Sequence, residues 1–223
     1  QWVGNALTAF ALPLVSTEAE GTGDALKELG GLEATPDAAT DVAAAAAELV
    51  RARLGQSQTI STKTTPTDVV TGADLEVETF IRGQLLAATP GATVRGEERS
   101  PLMGSTSIGW VVDPIDGTVN FLYDLPVMSV SIAATIDGQV VAGAVADVVR
   151  GEVFSGSRDT GVRRDDTPVT TSPTTNLSEA LVGTGFSYSS QVRQREGEVV
   201  ARVLPAVRDI RCFGSAALHL CWV

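Results

Sequence analysis

The sequence predicts an α+β fold, and three observations carry the prediction. Two segments combine helix-forming composition with start and stop signals. Several short runs of β-branched and small apolar residues are bounded by Gly, Pro and Asp. One Asp-Gly pair, Asp137-Gly138, joins two such runs at hairpin spacing.

Taken in order, residues 1–34 are an apolar run followed by a Gly-, Glu- and Thr-rich stretch, an N-terminal extension of unassigned role. Thr35-Pro36-Asp37 reads as a helix start, and residues 38–54 are strong helix formers stopped by Gly55. Residues 57–65 alternate polar and β-branched side chains, as a strand does. Thr67 to Thr71 leads into a second helix over residues 73–88, with Leu75, Phe80, Ile81 and Leu85 near helical spacing and Pro90-Gly91 as the stop. A short strand over 92–95 runs into Gly96-Glu97-Glu98. After a Gly/Ser loop, a buried-type strand over 108–112 ends at Asp113. Residues 127–135 and 140–149 form the hairpin about Asp137-Gly138, and 152–155 extend the same sheet. Asp165-Asp166-Thr167-Pro168 is a turn. A strand over 180–185, a helix over 191–203 and a strand over 209–212 follow, and Gly214-Ser215 opens a last helix from Ala216.

Composition narrows the function classes. The 223 residues, 43 % hydrophobic and 19 % charged, suit an ordinary globular chain. A net charge of −11 lacks the basic footprint of a nucleic-acid binder. No stretch reaches the roughly 18 apolar residues of a membrane span. Cys212 and Cys221 make neither a disulfide framework nor a zinc site, and are read as reduced and structural, in a cytoplasmic protein. The chain begins with Gln1 and not Met, so a natural N-terminus upstream is expected.

The chemistry concentrates in Trp110-Val111-Val112-Asp113-Pro114-Ile115-Asp116-Gly117-Thr118-Val119-Asn120-Phe121. An apolar strand delivers Asp113 to its end. Pro114 disfavours helix there and is expected to enforce a turn that brings Asp116 back beside Asp113. Two carboxylates held so close repel unless a cation lies between them, and Mg2+ prefers carboxylate and water oxygens. Gly117-Thr118-Val119 then starts a short helix whose free amides suit a phosphate. The competing reading is a capped strand-to-helix turn with exposed aspartates. Glu97 is either part of a surface acidic pair or a partner of Asp113 and the Ile115 carbonyl at one metal site. Asp74 is either a helix cap or a group that acts on a metal through water or orients the nucleophile. His219, the only histidine, reads as a packing or surface residue.

Together these elements resemble the inositol monophosphatase family, with an actinobacterial flavour in Gly183-Thr184-Gly185-Phe186-Ser187-Tyr188 and in Ile210-Arg211. The family pattern has an Asp-x-Val-Thr-x-x-Asp element, matched from Asp68 to Asp74, then a Gly-Glu-Glu element, matched at Gly96-Glu97-Glu98. The long string from Trp110 to Phe121 is its signature, and Gly214-Ser215-Ala216-Ala217 matches a downstream element. The resemblance covers residues 35–223. It implies a layered α-β-α-β-α sandwich, with a first half over 35–147 carrying the metal site and an incomplete second half over 148–223.

The resemblance also implies roles. Glu97, Asp113 and the Ile115 carbonyl hold a first Mg2+, and Asp113 and Asp116 hold a second. Glu97 also reaches a third, looser ion through water, Mn2+ is an expected substitute, and Li+ inhibition is expected. Thr118 with Glu97 positions and helps deprotonate the attacking water, with Asp74 acting through Thr118. Asp116 and the amides of Gly117 and Thr118 bind substrate, and Gly214, Ser215 and Ala216 line the pocket for its alcohol part. The implied reaction is Mg2+-dependent hydrolysis of a small phosphorylated polyol or sugar, foremost inositol monophosphate. Histidinol phosphate, fructose 1,6-bisphosphate and 3′-phosphoadenosine phosphates are alternatives, and a non-catalytic interaction protein is an alternative of another class. Family members are commonly homodimers, and no nucleic-acid or membrane partner is implied.

The sequence departs from the family in one respect. A downstream Trp-Asp element, whose aspartate completes the second metal site, does not occur before Val223. Cys221-Trp222-Val223 is too near Ser215 to be that element. The chain is therefore expected to be part of a longer protein. A molecule ending at Val223 is expected to bind the second ion poorly and to have very low activity.

Overall fold

The computed structural model describes residues 36–63 and 68–223, apart from the Pro36 side chain. The expected N-terminal extension, the Thr35 cap and the segment 64–67 lie outside the described residues.

Helix α1 (Pro36–Arg51) presents Ala39, Val42, Ala43, Ala46, Ala47 and Val50 as one buried stripe. The regular helix ends at Arg51, short of residue 54: there the backbone bonds tighten to i,i+3 turns, Arg53 to Val50 and Leu54 to Arg51, and the Arg51 Nε donates to the Val148 carbonyl at 2.7 Å. Turns then carry the chain to Gly55, whose φ of 69° no β-branched residue would adopt at ease. A two-stranded antiparallel ladder, β1 (Ile60–Thr62) with β2 (Val69–Thr71), leads into helix α2 (Gly72–Ala88). The first strand is shorter than the 57–65 reading. The start of α2 is a reciprocal capping box between Thr71 and Asp74.

The main sheet has seven strands in the order β3 (Thr93–Gly96), β4 (Ile108–Asp116), β5 (Ser129–Ile136), β6 (Gln139–Asp147), β7 (Val153–Ser157), β8 (Gly161–Arg164) and β9 (Thr167–Pro168). Only β3 and β4 run parallel, and the remaining neighbours are antiparallel. The hairpin at Asp137-Gly138 has positive φ at both residues, 49° and 77°, as its type of turn requires. The sheet continues across residues 147 and 148, because β7 pairs with β6.

Alternation along β6 sorts its two faces. Ala142, Ala144 and Ala146 face the α1/α2 side, and Val145 joins Phe154, Ala217 and Leu218 on the other. Small residues on β6 and α1 let helix and sheet approach closely. Trp110 is the largest fully buried side chain among the described residues, and its indole N–H donates to Thr89 Oγ1 at 2.9 Å. Beyond the sheet lie α3 (Thr118–Leu122), the parallel pair β10 (Leu181–Gly183) and β11 (Asp209–Arg211), α4 (Ser190–Val203) and α5 (Ala216–Cys221). Helices α1 and α2 on one face and α5 on the other give the layered α+β arrangement expected from the sequence.

Candidate active site

Strand register assembles the site. In the parallel pair Gly96 lies beside Val112, so Glu97 and Asp113 follow side by side at the ends of neighbouring strands. Strand β4 does not stop at Asp113. Asp113 pairs with Ser131 and Asp116 with Ser129, so three steps on β4 oppose two on β5. The expected turn at Pro114 is thus a β-bulge. Proline has no N–H to donate, and a bulge is where a strand tolerates it. The bulge keeps Asp113, Ile115 and Asp116 on one wall of a cleft. Gly117, at φ 107°, then caps α3, and a β-carbon there would lie 3.0 Å from the Val127 carbonyl oxygen.

Asp113 is only 4 % exposed, and among the described residues neither of its carboxylate oxygens has a hydrogen-bond donor. Burial first, then the neighbouring charges of Glu97 and Asp116, push its pKa well above the ordinary carboxylate range. An acceptor facing acceptors without a proton or cation between them is costly. The Lys63 ammonium already engages the other carboxylates, at 2.8 Å from Glu97 and 2.6 Å from Glu98. Burial opposes the charge on Lys63, but the two glutamates outweigh it and raise its pKa.

Asp116 is tied to the start of α5. Its Oδ2 accepts from Ser215 Oγ at 2.6 Å and the Ala217 amide at 2.7 Å, with Ser129 Oγ at 3.4 Å. Its Oδ1 accepts from the Ala216 amide at 3.2 Å, which leaves that oxygen a lone pair for the cleft. Burial raises the Asp116 pKa against these donors. Ser215 also caps α5 through the Leu218 amide. Gly214, at φ 87°, makes the turn into α5. A β-carbon at Gly214 would meet the Asn120 side chain, whose amide donates to the Val127 carbonyl at 2.7 Å and the Phe213 carbonyl at 2.6 Å. Asn120 thereby locks α3 to the 213–215 turn.

Thr118 Oγ1 lies 3.2 Å from Asp74 Oδ1 and 3.0 Å from the Ile115 carbonyl. Asp74 itself is fully buried and accepts from the Thr71 amide at 2.8 Å and the Thr71 hydroxyl at 2.5 Å. Asp74 therefore closes the capping box of α2 and accepts the Thr118 hydroxyl. Burial raises its pKa.

Glu97, Asp113, Ile115, Asp116, Gly117, Thr118, Gly214, Ser215 and Ala216 all line one cleft of about 540 Å3. Asp74 stands behind Thr118. The far wall adds Phe186, Tyr188, Arg193, Cys212 and His219. Sequence reading assigned no role to Lys63 and missed Asn120 and a buried ion pair on α2, Glu78 with Arg82. The only signal for that pair is its i,i+4 spacing, which is common on solvated helices. Cys212 is exposed in this cleft and so is not a core residue, whereas burial pushes the Cys221 thiol up to about 12. His219 packs on Phe213 and accepts its amide N–H at 2.8 Å, as a packing residue would.

The residues fit a divalent cation of the hard, oxygen-seeking kind. Asp113 offers two buried oxygens without donors, the Ile115 carbonyl keeps a second lone pair, and Glu97 lies alongside. Among the described residues no group of three or more Asp, Glu, His or Cys side chains stands close enough together to hold a metal ion by itself. Mg2+ does not need such a group, because it keeps several waters and binds through one or two carboxylates.

Known proteins resemble the chain in sequence and fold. The profile of the Inositol monophosphatase family matches residues 32–223. The chain is 42 % identical over 193 residues to an inositol-1-monophosphatase of Mycobacterium leprae, covering 82 % of this chain and 63 % of that protein. It is 41 % identical over 204 residues to the inositol-1-monophosphatase SuhB of Mycobacterium tuberculosis, covering 83 % and 70 %. The chain thus spans about two thirds of the length of these relatives. Among solved structures, the suhB protein of Bartonella henselae superposes with a TM-score of 0.79 at 29 % identity, covering 84 % of this chain and 73 % of that one. Mycobacterium tuberculosis SuhB gives 0.71 at 39 %, covering 83 % and 71 %. By this match over most of its length, the chain belongs to the inositol monophosphatase family.

Proposed function

We propose that this protein hydrolyses a small phosphate monoester in a Mg2+-dependent reaction, with inositol monophosphate as the foremost substrate. The observation that carries the reading is Asp113, buried with both oxygens free of donors and faced by Glu97. The names of the mycobacterial relatives point to the inositol ester. Glu97, Asp113 and the Ile115 carbonyl would hold one ion, and Asp116 would help hold a second. Such ions lower the pKa of a bound water and neutralise charge on a phosphoryl group.

The chain's own residues do the rest. Thr118, held by Asp74, keeps its hydroxyl beside the Ile115 carbonyl and orients the attacking water toward Glu97, which accepts its proton. The first amides of α3, at Gly117 and Thr118, have no partner within the helix and face the phosphoryl oxygens. The Gly214-Ser215-Ala216 turn receives the alcohol part, and Phe186 and Tyr188 on the opposite wall limit its size. Two or three ions, Mn2+ substitution, Li+ inhibition, a homodimer and a cytoplasmic setting belong to the same reading.

Phosphate release is the test, assayed with inositol 1-phosphate, histidinol phosphate, fructose 1,6-bisphosphate and 3′-phosphoadenosine 5′-phosphate, with Mg2+ and with chelator. Mg2+-dependent turnover, fastest on the inositol ester and lost in Asp113→Asn, supports the reading. Turnover that survives chelation, or that Asp113→Asn retains, defeats it.

A further inference from the structure

We propose that the buried Glu78–Arg82 pair on α2 is a positioning device that sets the aim of Glu97 into the metal site. The inference rests on the Mg2+ reading above and adds residues that touch neither metal nor substrate.

Glu78 is fully buried and Arg82 is 8 % exposed. Glu78 Oε1 receives the Arg82 Nε at 2.8 Å, and Glu78 Oε2 accepts the Glu98 amide N–H at 2.7 Å. The two terminal guanidinium nitrogens of Arg82 donate to the carbonyls of Ser100 and Arg99, both at 3.1 Å. One ion pair thus fixes a donor and two acceptors of the loop that follows β3. The Glu98 amide belongs to the peptide plane just after Glu97, so its bond to Glu78 fixes the ψ of Glu97. The residue before it, Gly96, is held in β3 against Val112. The Glu97 backbone is therefore pinned on both sides.

Two further observations agree. A β-carbon at Gly96 would lie 2.2 Å from Glu78 Oε1, so the carboxylate crosses directly over the backbone where only glycine fits. And Asp74, Glu78 and Arg82 recur every four residues, on one face of α2. Asp74 holds Thr118 against the Ile115 carbonyl, while the next two hold the loop that carries Glu97. One helix face thereby sets both sides of the Asp113 carboxylate. A buried pair is a poor route to stability alone, since apolar residues of the same volume serve as well, but its fork geometry defines position.

The test is calorimetric titration with Mg2+ alone, without substrate, on the whole chain and its variants, alongside thermal melts. Glu97→Gln should weaken binding. Glu78→Gln and Arg82→Met should weaken it by about tenfold or more, as loss of groups that orient ligands does. Arg82→Lys, which keeps charge but not the fork, should fall between. Should Glu78→Gln not fold, Arg82→Lys carries the comparison. Affinity within about twofold of the parent in variants that melt earlier would make the pair merely structural and overturn the proposal. A Glu97→Gln chain that binds Mg2+ as the parent does would overturn the metal reading itself, and the positioning role with it.

Discussion

A carboxylate buried among carboxylates works against the fold that holds it. Asp113 has burial, Glu97 and Asp116 all opposing its charge, and no donor on either oxygen. Asp113→Asn removes the charge and supplies an amide N–H2 that can donate to Glu97. The metal-free variant should be more stable than the parent by about 1–3 kcal/mol, the usual cost of a buried unsatisfied group. Its Mg2+-dependent phosphate release should vanish. Denaturant midpoints without metal check the first half, and a destabilised variant would mean that Asp113 has structural partners. Thr118 serves fold and reaction alike, because among the described residues its hydroxyl meets Asp74 and the Ile115 carbonyl. Thr118→Val keeps the shape and should lower kcat by roughly 100-fold, the range for losing a group that handles a proton. Because Asp74 Oδ1 loses this donor, the variant should also lose about 1–3 kcal/mol of stability, so kcat is compared on chains shown by melting to be folded. A kcat within a few-fold of the parent would remove Thr118 from the reaction.

Among elements, the bulge that ends β4 and the left-handed Gly117 after it turn a strand into a wall of the cleft. Gly117→Ala must hold φ 107° with its β-carbon 3.0 Å from the Val127 carbonyl oxygen. It should cost more than about 1 kcal/mol, read from the urea midpoint. The loss should be partly structural and partly catalytic, because α3 and the Asn120 lock move with it. Much of this was legible in the sequence. The Asp137-Gly138 hairpin, the 72–88 helix and the convergence of Glu97, Asp113, Ile115, Asp116 and Thr118 follow from spacing and from the family pattern. Other features were not legible, for physical reasons. Proline signals a break, but whether the chain turns or bulges is decided by the partner strand, here Ser129 and Ser131. Strands β8 and β9 are short, polar and exposed, so they carry no apolar period to read. The role of Glu78 depends on a loop some twenty residues away, and the hold of Ser215 on Asp116 spans 99 residues. No local pattern encodes contacts of that range.

At the scale of the whole molecule, the acidic site couples stability to pH and to divalent cations. Burial raises the pKa values of Asp74, Asp113 and Asp116, and pushes Glu98 up to about 7 against the pull of Lys63. The folded chain therefore binds more protons than the unfolded chain from the ordinary carboxylate range up to near neutrality. By linkage, these groups make metal-free stability fall as pH rises through that window. The net charge of −11 adds self-repulsion in the same direction. Mg2+ competes with those protons for Asp113, so it should stabilise most where the carboxylates are ionised. Melts at pH 5 and pH 8, each with and without Mg2+, separate the terms. The Mg2+-induced rise in melting temperature should be small at pH 5 and larger at pH 8. At 100 times the dissociation constant it should correspond to about 2.7 kcal/mol. Sodium chloride at matched ionic strength should reproduce only the share due to screening. In Asp113→Asn the Mg2+ increment should disappear while the salt share remains. Equal Mg2+ increments at both pH values, or an increment that sodium chloride fully reproduces, would show that the cation acts on surface charge and not in the cleft.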